Sequence, residues 1–525
     1  MGKKRKFIKI MSLGTAIAMS QISAAAAQQV AQTDNGGNTT EEIQEIIKPA
    51  QPSIRDTDNL NPSGNPLSFP TTPEEVEVDD REPITLEQAV ELSLKNNKEI
   101  EQARLEVERA EFELREERAA LYPTLDLGSS LTYGNDLFLD SITEQRIDEA
   151  VEDDIEENPG LDEDVLRDNA EDSFISSSSA SFDFNGNLGI NYDIFTGGFR
   201  GASIRAAEKQ LRSEELDLER IVEETRLETA SDYYELQNND AQVEIQEAAV
   251  EDAQQTLQDA QLLERAGLGT RFDVLRAEVE LAQAEQNRTT AVANQNIARR
   301  QLAETLSVSH STQLTTADAI EEAGVWELEL PETIVQAFKN RAELEQFLLQ
   351  REISQEQRTI ALSAIRPQLS ASADYTVNDD FEDDFDINDN YSVGLNLQWR
   401  LFDGGAARAA ANQAETDEEI AETQFADQRN QIRFAVEQAF FQLESNQNNI
   451  ETARRSVELA EESLRLARLR FQAGVGTQTD VIEAQTSLTT ERGNLLSSIT
   501  DYNQSFADLN RQVSNTPDNG LQDLP

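Results

Sequence analysis

The stretch AGLGTRFDVLRA at residues 266–277 returns 207 positions later as AGVGTQTDVIEA at residues 473–484. The same offset relates FTGG at residues 195–198 to FDGG at residues 402–405. Because one offset relates both pairs of motifs, neither half has gained or lost a residue between them. The chain therefore contains an internal repeat, and each half is expected to fold into the same structural unit.

The first part of each half repeats with a different offset, 244. The matching residues are Leu86, Val90, Lys95, Asn96 and Pro123 in the first half and Leu330, Ile334, Lys339, Asn340 and Pro367 in the second. The two offsets differ by 37 positions, so the first half carries an insertion between Pro123 and Gly197. The insertion is acidic and ends in a run of serines, which predicts a long polar loop over residues 134–180.

Each half is predicted to contain a helix, two strands, a long helix and a shorter helix. The opening helices are expected at about residues 86–121 and 332–365, each ended by the proline that follows. The long helices are expected at about residues 202–264 and 406–471, where no proline occurs. At ~1.5 Å per residue, each long helix reaches ~95 Å, which is too long for a helix inside a compact domain.

The strands are expected near residues 124–133, 181–195, 368–377 and 391–402. Apolar and polar residues alternate along them, as in Phe182, Phe184, Leu188, Ile190, Tyr192 and Ile194 against Asp183, Asn185, Asn187, Asn191 and Asp193. Alternation over ~10 residues with a polar second face is typical of membrane-spanning barrel strands. The alternative is a water-soluble sheet with a dry core on one side.

Four strands are too few to close a barrel in lipid, where an open edge leaves backbone groups without partners. Two copies would give eight strands and an interior filled by side chains, whereas three copies would give twelve and leave room for a channel. We therefore expect a homotrimer. The fold class is mainly α with membrane β, arranged as two tandem repeats.

The remaining segments have their own predictions. Residues 1–27 resemble a secretory signal peptide, with a basic head, a short apolar stretch and a run of alanines. Residues 28–82 are rich in Pro and Glu and are expected to be a disordered linker. The repeats are placed at residues 83–306 and 331–512, joined by a mid-stem connector at residues 307–330. A C-terminal tail follows at residues 513–525.

Composition excludes several functions. The net charge of −57 argues against nucleic-acid binding, which needs basic patches. The chain has no cysteine and one histidine, His310, so we expect no catalytic residues, no metal site and no cofactor. An enzyme is disfavoured. Two functions remain open, a passive conduit and an envelope-spanning structural or adhesive stem, but a stem alone would need neither the alternating strands nor the duplicated double glycines.

The motifs in this order resemble the TolC-type outer-membrane factor family, over about residues 83–512. The resemblance rests on TLEQA at residues 85–89, Tyr122-Pro123, the first double glycine and the two glycine-rich stretches quoted above. It implies a trimer with a twelve-stranded β-barrel in outer-membrane lipid and a periplasmic α-helical barrel. It also implies an exit duct for efflux or type I secretion, whose partners are a periplasmic adaptor (membrane fusion) protein and an inner-membrane pump or ABC exporter.

The candidate site residues lie at the ends of the long helices. Thr270 with Asp273, and Thr477 with Asp480, have the spacing of helix capping boxes. The resemblance further implies that acidic residues line a closed periplasmic mouth, and the candidates here are Asp480, Glu483 and Asp273. The candidates for adaptor contact are Gly267, Gly269, Thr270, Gly474, Gly476 and Thr477, and those for the barrel-to-stem bends are Gly197, Gly198, Gly404 and Gly405.

An acidic crown is expected at the opposite end. The insertion, together with Asp379, Asp380, Glu382, Asp383 and Asp384, would lie at the outer mouth. Carboxylates suit calcium, but no spaced ligand motif is present. We therefore expect a solvated acidic loop there.

Overall fold

Long paired helices and two sheets make up the part of the chain that the computed structural model describes. That part is residues 80–134, 145–152, 165–167, 181–308, 312–380 and 388–514, with a few isolated positions besides. These residues belong to one unit, Thr57–Pro525. The predicted signal peptide, nearly all of the predicted linker, much of the acidic insertion, residues 381–387, His310 and residues 515–525 lie outside the described residues.

Apart from two short strands in the first half, β1 and β4, the described elements follow the same order in both halves. The first half has β1 (Asp80–Ile84), α1 (Leu86–Asn96), α2 (Lys98–Ala119), β2 (Thr124–Gly134), β3 (Ser181–Phe195), α3 (Phe199–Arg265), α4 (Arg271–Thr305) and β4 (Thr312–Thr316). The second half has α5 (Leu330–Asn340), α6 (Ala342–Ser363), β5 (Gln368–Asp380), β6 (Asn388–Gln398), α7 (Ala406–Gln472) and α8 (Gln478–Val513). The long helices α3 and α7 have 67 residues each.

The larger sheet is antiparallel, with the strand order β2-β3-β5-β6. Its two edges are therefore β2 and β6. The apolar face is open to the surroundings, since Leu127 is 83% exposed and Val393 is 80% exposed. A water-soluble sheet would bury such residues in a dry core, and no described element covers them, so the sheet does not fit that alternative.

The opening helix of each half is interrupted, and the prediction of one continuous helix is wrong at both places. The first break lies at Asn97, whose side chain caps α2 by accepting from the backbone N–H groups of Glu99 at 2.7 Å and Ile100 at 3.3 Å. The second break lies at Arg341, whose backbone is extended with ψ of 114°. At Asn97 the polar side chain captures backbone donors and so starts a new helix, whereas Arg341 makes no side-chain cap.

A second, two-stranded sheet lies where the sequence predicted linker and connector. β1 pairs in parallel with β4, with Ile84 opposite Thr316. The prediction that the linker extends to residue 82 is therefore wrong for its last three residues, and the connector at residues 307–330 contains a strand. Two strands of five residues, separated by more than 200 positions, give no local periodicity from which the pairing could be predicted.

Two further differences concern the large sheet and its insertion. β6 ends at Gln398, not near residue 402, because β5 begins at Gln368 and no described strand pairs with residues 399–402. The predicted polar loop contains a helical stretch at residues 145–152. There Ile147 and Val151 are buried against Leu166, so the insertion forms a small apolar cluster of its own.

The helices pack through small side chains and meet in a larger core near the connector. Buried alanines such as Ala407, Ala411, Ala414 and Ala421 follow one face of α7, which lets neighbouring helices approach closely. Tyr233 and Leu236 of α3 are fully buried with Leu302 and Leu314 in that core. No helix that the structure describes is both long and apolar enough to cross a bilayer.

Candidate functional site

Each helix hairpin turns on a pair of glycines at its tip. Gly267 has a φ of 72° and Gly474 a φ of 71°, a backbone conformation that favours glycine. At the second glycine the chain passes close to the helix it has just left. A Cβ on Gly269 would lie 3.1 Å from Cβ of Leu263, and one on Gly476 would lie 3.0 Å from Cβ of Arg470. These glycines are required by the turn itself.

The threonine after each turn starts the returning helix, and the predicted capping boxes are confirmed. The N–H of Asp273 donates to Oγ1 of Thr270 at 3.3 Å, and the N–H of Thr270 donates to the Asp273 carboxylate at 2.9 Å. Thr477 and Asp480 make the same two bonds, at 3.2 and 2.9 Å. The bond from the Thr477 N–H lowers the pKa of Asp480, so this carboxylate is held in its charged form.

Two of the three acidic candidates lie at the tip of the second hairpin, and the third lies at the tip of the first. Asp480 is half-buried and Glu483 is exposed, and the two lie one turn apart on α8. Asp273, the third candidate, occupies the equivalent capping position on α4 and is also half-buried. Arg276 takes the position in α4 that Glu483 takes in α8. Its guanidinium donates to Oγ1 of Thr479 at 2.6 Å, which joins the two hairpins.

Two more contacts hold the hairpins together above the tip, and the sequence did not predict them. Arg468 of α7 lies 2.7 Å from the Asp252 carboxylate of α3. Gln485 of α8 donates to Oγ1 of Thr256 at 3.1 Å. Next to them lies a cavity of about 550 Å³. Because the partners are more than 200 positions apart in the chain, no local pattern points to these pairs.

The double glycines between the strands and the long helices are not equivalent in their surroundings. Gly197 and Gly404 have similar φ angles, 67° and 72°. A Cβ on Gly197 would lie 2.9 Å from Cβ of Arg366, whose guanidinium donates to the Gly197 carbonyl oxygen at 3.0 Å. A Cβ on Gly404 would meet nothing within 4 Å. The first bend is therefore packed by the other half of the chain, and the second is open.

The second bend is held from within its own segment. The Asp403 carboxylate accepts from the backbone N–H of Gly405 at 2.8 Å and from that of Ala407 at 2.7 Å. At the first bend, Thr196 takes this place and accepts from the N–H of Arg200 at 3.1 Å. Both motifs thus cap the start of the long helix.

Among the residues that the structure describes, no group of three or more His, Cys, Asp or Glu is placed to hold a metal ion. The arrangement combines a sheet that has one apolar and one polar face with two long helix hairpins that carry carboxylates at their tips.

Residues 89–307 and 333–513 match the model of the outer membrane efflux protein family. This chain belongs to that family. It is an outer-membrane protein that extends into the periplasm. The outer membrane protein TolC of Vibrio cholerae is 28% identical over 163 residues, which are 31% of this chain and 37% of the relative. The chain thus matches little more than a third of that relative's length.

Solved structures share the fold over most of the chain. A membrane protein from Pseudomonas aeruginosa superposes with a TM-score of 0.67 at 16% identity and covers 82% of this chain and 93% of its own. The CmeC outer membrane channel of Campylobacter jejuni gives 0.65 at 16% identity, covering 87% and 94%. VceC of Vibrio cholerae gives 0.63 at 18% identity, covering 82% and 95%. At these identities the likeness shows the fold.

Proposed function

We propose that the chain is one subunit of a homotrimeric exit duct, a passive channel of a tripartite efflux or type I secretion system. The observation that carries the proposal is the four-stranded sheet, which has an exposed apolar face and whose edge strands β2 and β6 each pair with one strand only among the described residues. In lipid, each edge needs a partner strand. Copies of the same chain supply one, and three copies give twelve strands, enough to enclose a channel.

The helices supply the length of the duct. Each 67-residue helix extends for ~100 Å at the usual rise per residue. α4 and α2 pack along α3, which also contacts α6 and α8 of the other half, while α8 and α6 pack along α7. Each long helix is therefore flanked by shorter helices. Three such sets would form a helical barrel in the periplasm, continuous with the strands.

The hairpin tips are the proposed working end. Asp480 and Glu483 would give two carboxylates per chain, and so six in the trimer, around the periplasmic mouth. Asp273 is the third candidate. Crowded carboxylates attract cations and repel each other. Such a ring would therefore favour cations and restrict passage through the mouth. Gly267, Gly269, Thr270, Gly474, Gly476 and Thr477 form the exposed turns that a periplasmic adaptor would contact, with an inner-membrane pump or ABC exporter supplying the energy.

Conductance of the purified protein in planar lipid bilayers tests the proposal. We expect discrete channel steps, and a larger conductance when Asp480→Asn and Glu483→Gln relieve the repulsion at the mouth. A protein that never conducts, with or without these substitutions, would contradict the transport function. The envelope-spanning structural stem would then be the remaining alternative.

The oligomeric state is tested separately. We expect an SDS-resistant species of three chains that dissociates on heating, as barrel closure between copies requires. A stable dimer would refute the strand count. A monomer in a bilayer-compatible detergent would leave both sheet edges unpaired and would refute the barrel.

A further inference from the structure

The internal repeat holds in the strand pairing as well as in the sequence. Leu127 of β2 lies opposite Leu188 of β3. Moving these positions by the two offsets of the sequence, 244 and 207, leads to Ala371 and Leu395, and those residues lie opposite each other in β5 and β6. Ser130 and Asn185 lead in the same way to Asp374 and Ser392, another observed pair. The two hairpins therefore have identical registers.

The pairing between the hairpins has no counterpart inside the chain. β3 of the first hairpin pairs with β5 of the second, as in Asp193 opposite Ser370. The equivalent of β3 is β6, and the equivalent of β5 is β2. Within one chain, however, β2 and β6 are the two outer edges of the sheet. The repeat can be completed only by β2 of a second copy.

We propose that β6 pairs with β2 of the neighbouring copy in the register that the repeat dictates, with Arg400 opposite Asp126 of the partner subunit. The same register places Trp399 opposite Leu127 of the partner subunit and Asn396 opposite Ser130 of the partner subunit. The inference rests on the proposed assembly of three copies and adds to it the alignment of the seam.

The chemistry of the paired residues supports this register. Leu395 and Trp399 would meet Leu131 of the partner subunit and Leu127 of the partner subunit on the apolar face, and all four residues are exposed in the single chain. On the polar face, the guanidinium of Arg400 would meet a carboxylate. Opposite charges directly across an antiparallel pair stabilise it. A one-residue slip would bring apolar residues opposite polar ones along the whole seam.

The end of β6 fits the same inference. β3 continues to Phe195 because β5 pairs with its last residues. The equivalent of Phe195 is Phe402, yet β6 ends at Gln398. The four residues by which β6 is shorter, residues 399–402, are ones that β2 of the neighbouring copy would pair with. In the assembled protein β6 therefore extends to about residue 402.

The double-glycine bends between the sheet and the long helices support the same register. Gly197 packs against Arg366, whose equivalent in the first half is Tyr122. Gly404 is the equivalent of Gly197 and is open in the single chain. Tyr122 is 73% exposed. The repeat places Tyr122 of the partner subunit over Gly404, which closes the second bend.

Engineered disulfides test the register directly, because the chain has no cysteine of its own. Opposed residues of an antiparallel pair have Cα atoms ~5 Å apart, within the range that a disulfide spans. Asn396→Cys with Ser130→Cys is expected to give covalent trimers on oxidation. Within one chain these strands are separated by two others, about 14 Å in all, so the bonds must join different copies.

The matched controls keep one cysteine and move the other. Asn396→Cys with Thr124→Cys separates the sulfurs by about 20 Å along the seam and should not crosslink. Preferential crosslinking to Thr124→Cys or to Thr132→Cys would overturn the register. A conducting trimer in which the Ser130 pair fails to crosslink also overturns the inference and leaves the proposed function standing. A chain that neither conducts nor forms trimers overturns the proposed function as well.

Charge reversal supplies a second measurement. Arg400→Asp and Asp126→Arg are each expected to lower the temperature at which the trimer dissociates in SDS, because each places two like charges face to face. The double variant restores an opposite pair and should recover most of the loss. A double variant no more stable than the weaker single one would show that the two residues do not face each other.

Discussion

The hydroxyl of Tyr233 lies 2.8 Å from Oδ2 of Asp318, and the same carboxylate oxygen accepts the backbone N–H of Leu86 at 2.8 Å. The Tyr233 hydroxyl also lies 3.1 Å from the carbonyl oxygen of Ile84. One buried tyrosine of the long helix α3 thus joins the start of α1, the end of β1 and the connector. The junction of β1 with α1 and the connector, more than 200 positions apart in the chain, thus meet at this side chain.

Removing that hydroxyl should loosen the connector. Tyr233→Phe is expected to lower the free energy of unfolding by about 1–3 kcal/mol, because the carboxylate of Asp318 loses a buried donor. Chemical denaturation followed by circular dichroism measures the change. Tyr234→Phe is the control, since its hydroxyl makes no hydrogen bond to the residues that the structure describes. Equal losses from both variants would show that the hydroxyl of Tyr233 carries no special role.

Asn97 both breaks the opening helix and fastens it to α4. Its side-chain oxygen caps α2, and its amide nitrogen donates to the carbonyl oxygen of Thr305 at 3.3 Å. Asn97→Ala should cost about 1–2 kcal/mol of stability through loss of the cap. Asn97→Asp keeps the capping oxygen and loses the donor, so we expect an intermediate value. An Asn97→Asp variant as unstable as Asn97→Ala would assign the effect to Thr305 alone.

A buried ion cluster predicts how stability depends on pH. Glu343 lies 2.7 Å from Arg341 and 3.1 Å from Arg511, and all three side chains are largely buried. Burial by itself would raise the pKa of Glu343, but the hydrogen bonds and charges of Arg341 and Arg511 outweigh it and hold the pKa at about 2. In the unfolded chain the pKa is ~4.3. The stabilisation is therefore complete above pH ~4.3 and is lost as the pH falls from there to about 2.

The matching substitution is Glu343→Gln. It leaves two buried guanidinium groups without their shared carboxylate, so we expect a loss of roughly 3 kcal/mol at neutral pH. The pH dependence between pH ~4.3 and 2 should flatten with it. Glu462→Gln serves as control, because the pair that Glu462 forms with Arg465 is exposed and such pairs contribute little. A Glu343→Gln protein with unchanged acid sensitivity would contradict the assignment.

Neutralising the tip carboxylates should change ion selectivity. In the proposed trimer, Asp480→Asn with Glu483→Gln is expected to reduce the preference for K⁺ over Cl⁻ several-fold, because a crowded acidic ring concentrates cations. The reversal potential under a KCl gradient measures this. Glu108→Gln with Glu116→Gln removes the same charge from exposed positions of α2 and should leave selectivity unchanged. Thr477→Ala weakens the cap but keeps both charges, so an equal loss of selectivity there would point to folding of the tip.

Local chemistry determined how much of the fold could be predicted. The absence of proline between Ala202 and Glu264 was sufficient to predict the long helix, and Thr270 with Asp273 was sufficient to predict its returning partner. Alternation placed the strands because the side-chain period of a strand is fixed at two. Asn97 was missed because an asparagine inside an amphipathic pattern caps a helix only when its side chain turns to the backbone.

Contacts between distant segments could not be predicted in the same way. The pairing of Ile84 with Thr316, the cluster around Glu343 and the bond between Arg276 and Thr479 depend on the packed arrangement of several helices. At the candidate site, the sequence identified the capping residues and the glycines but not Arg468 with Asp252. The predicted end of β6 near residue 402 differs from the end in the single chain, and the proposed pairing with a strand of a neighbouring copy accounts for the difference.

The difference between Arg276 and Glu483 has a consequence for stoichiometry. In the proposed trimer the mouth is bordered by six hairpins of nearly equal shape, but they alternate between two kinds. A partner that recognises only the glycine turns and their capping threonines would find six equivalent positions. A partner that distinguishes the guanidinium from the carboxylate would find three. In the proposed trimer, duplication inside one chain would thus let a single gene specify both a sixfold and a threefold docking platform.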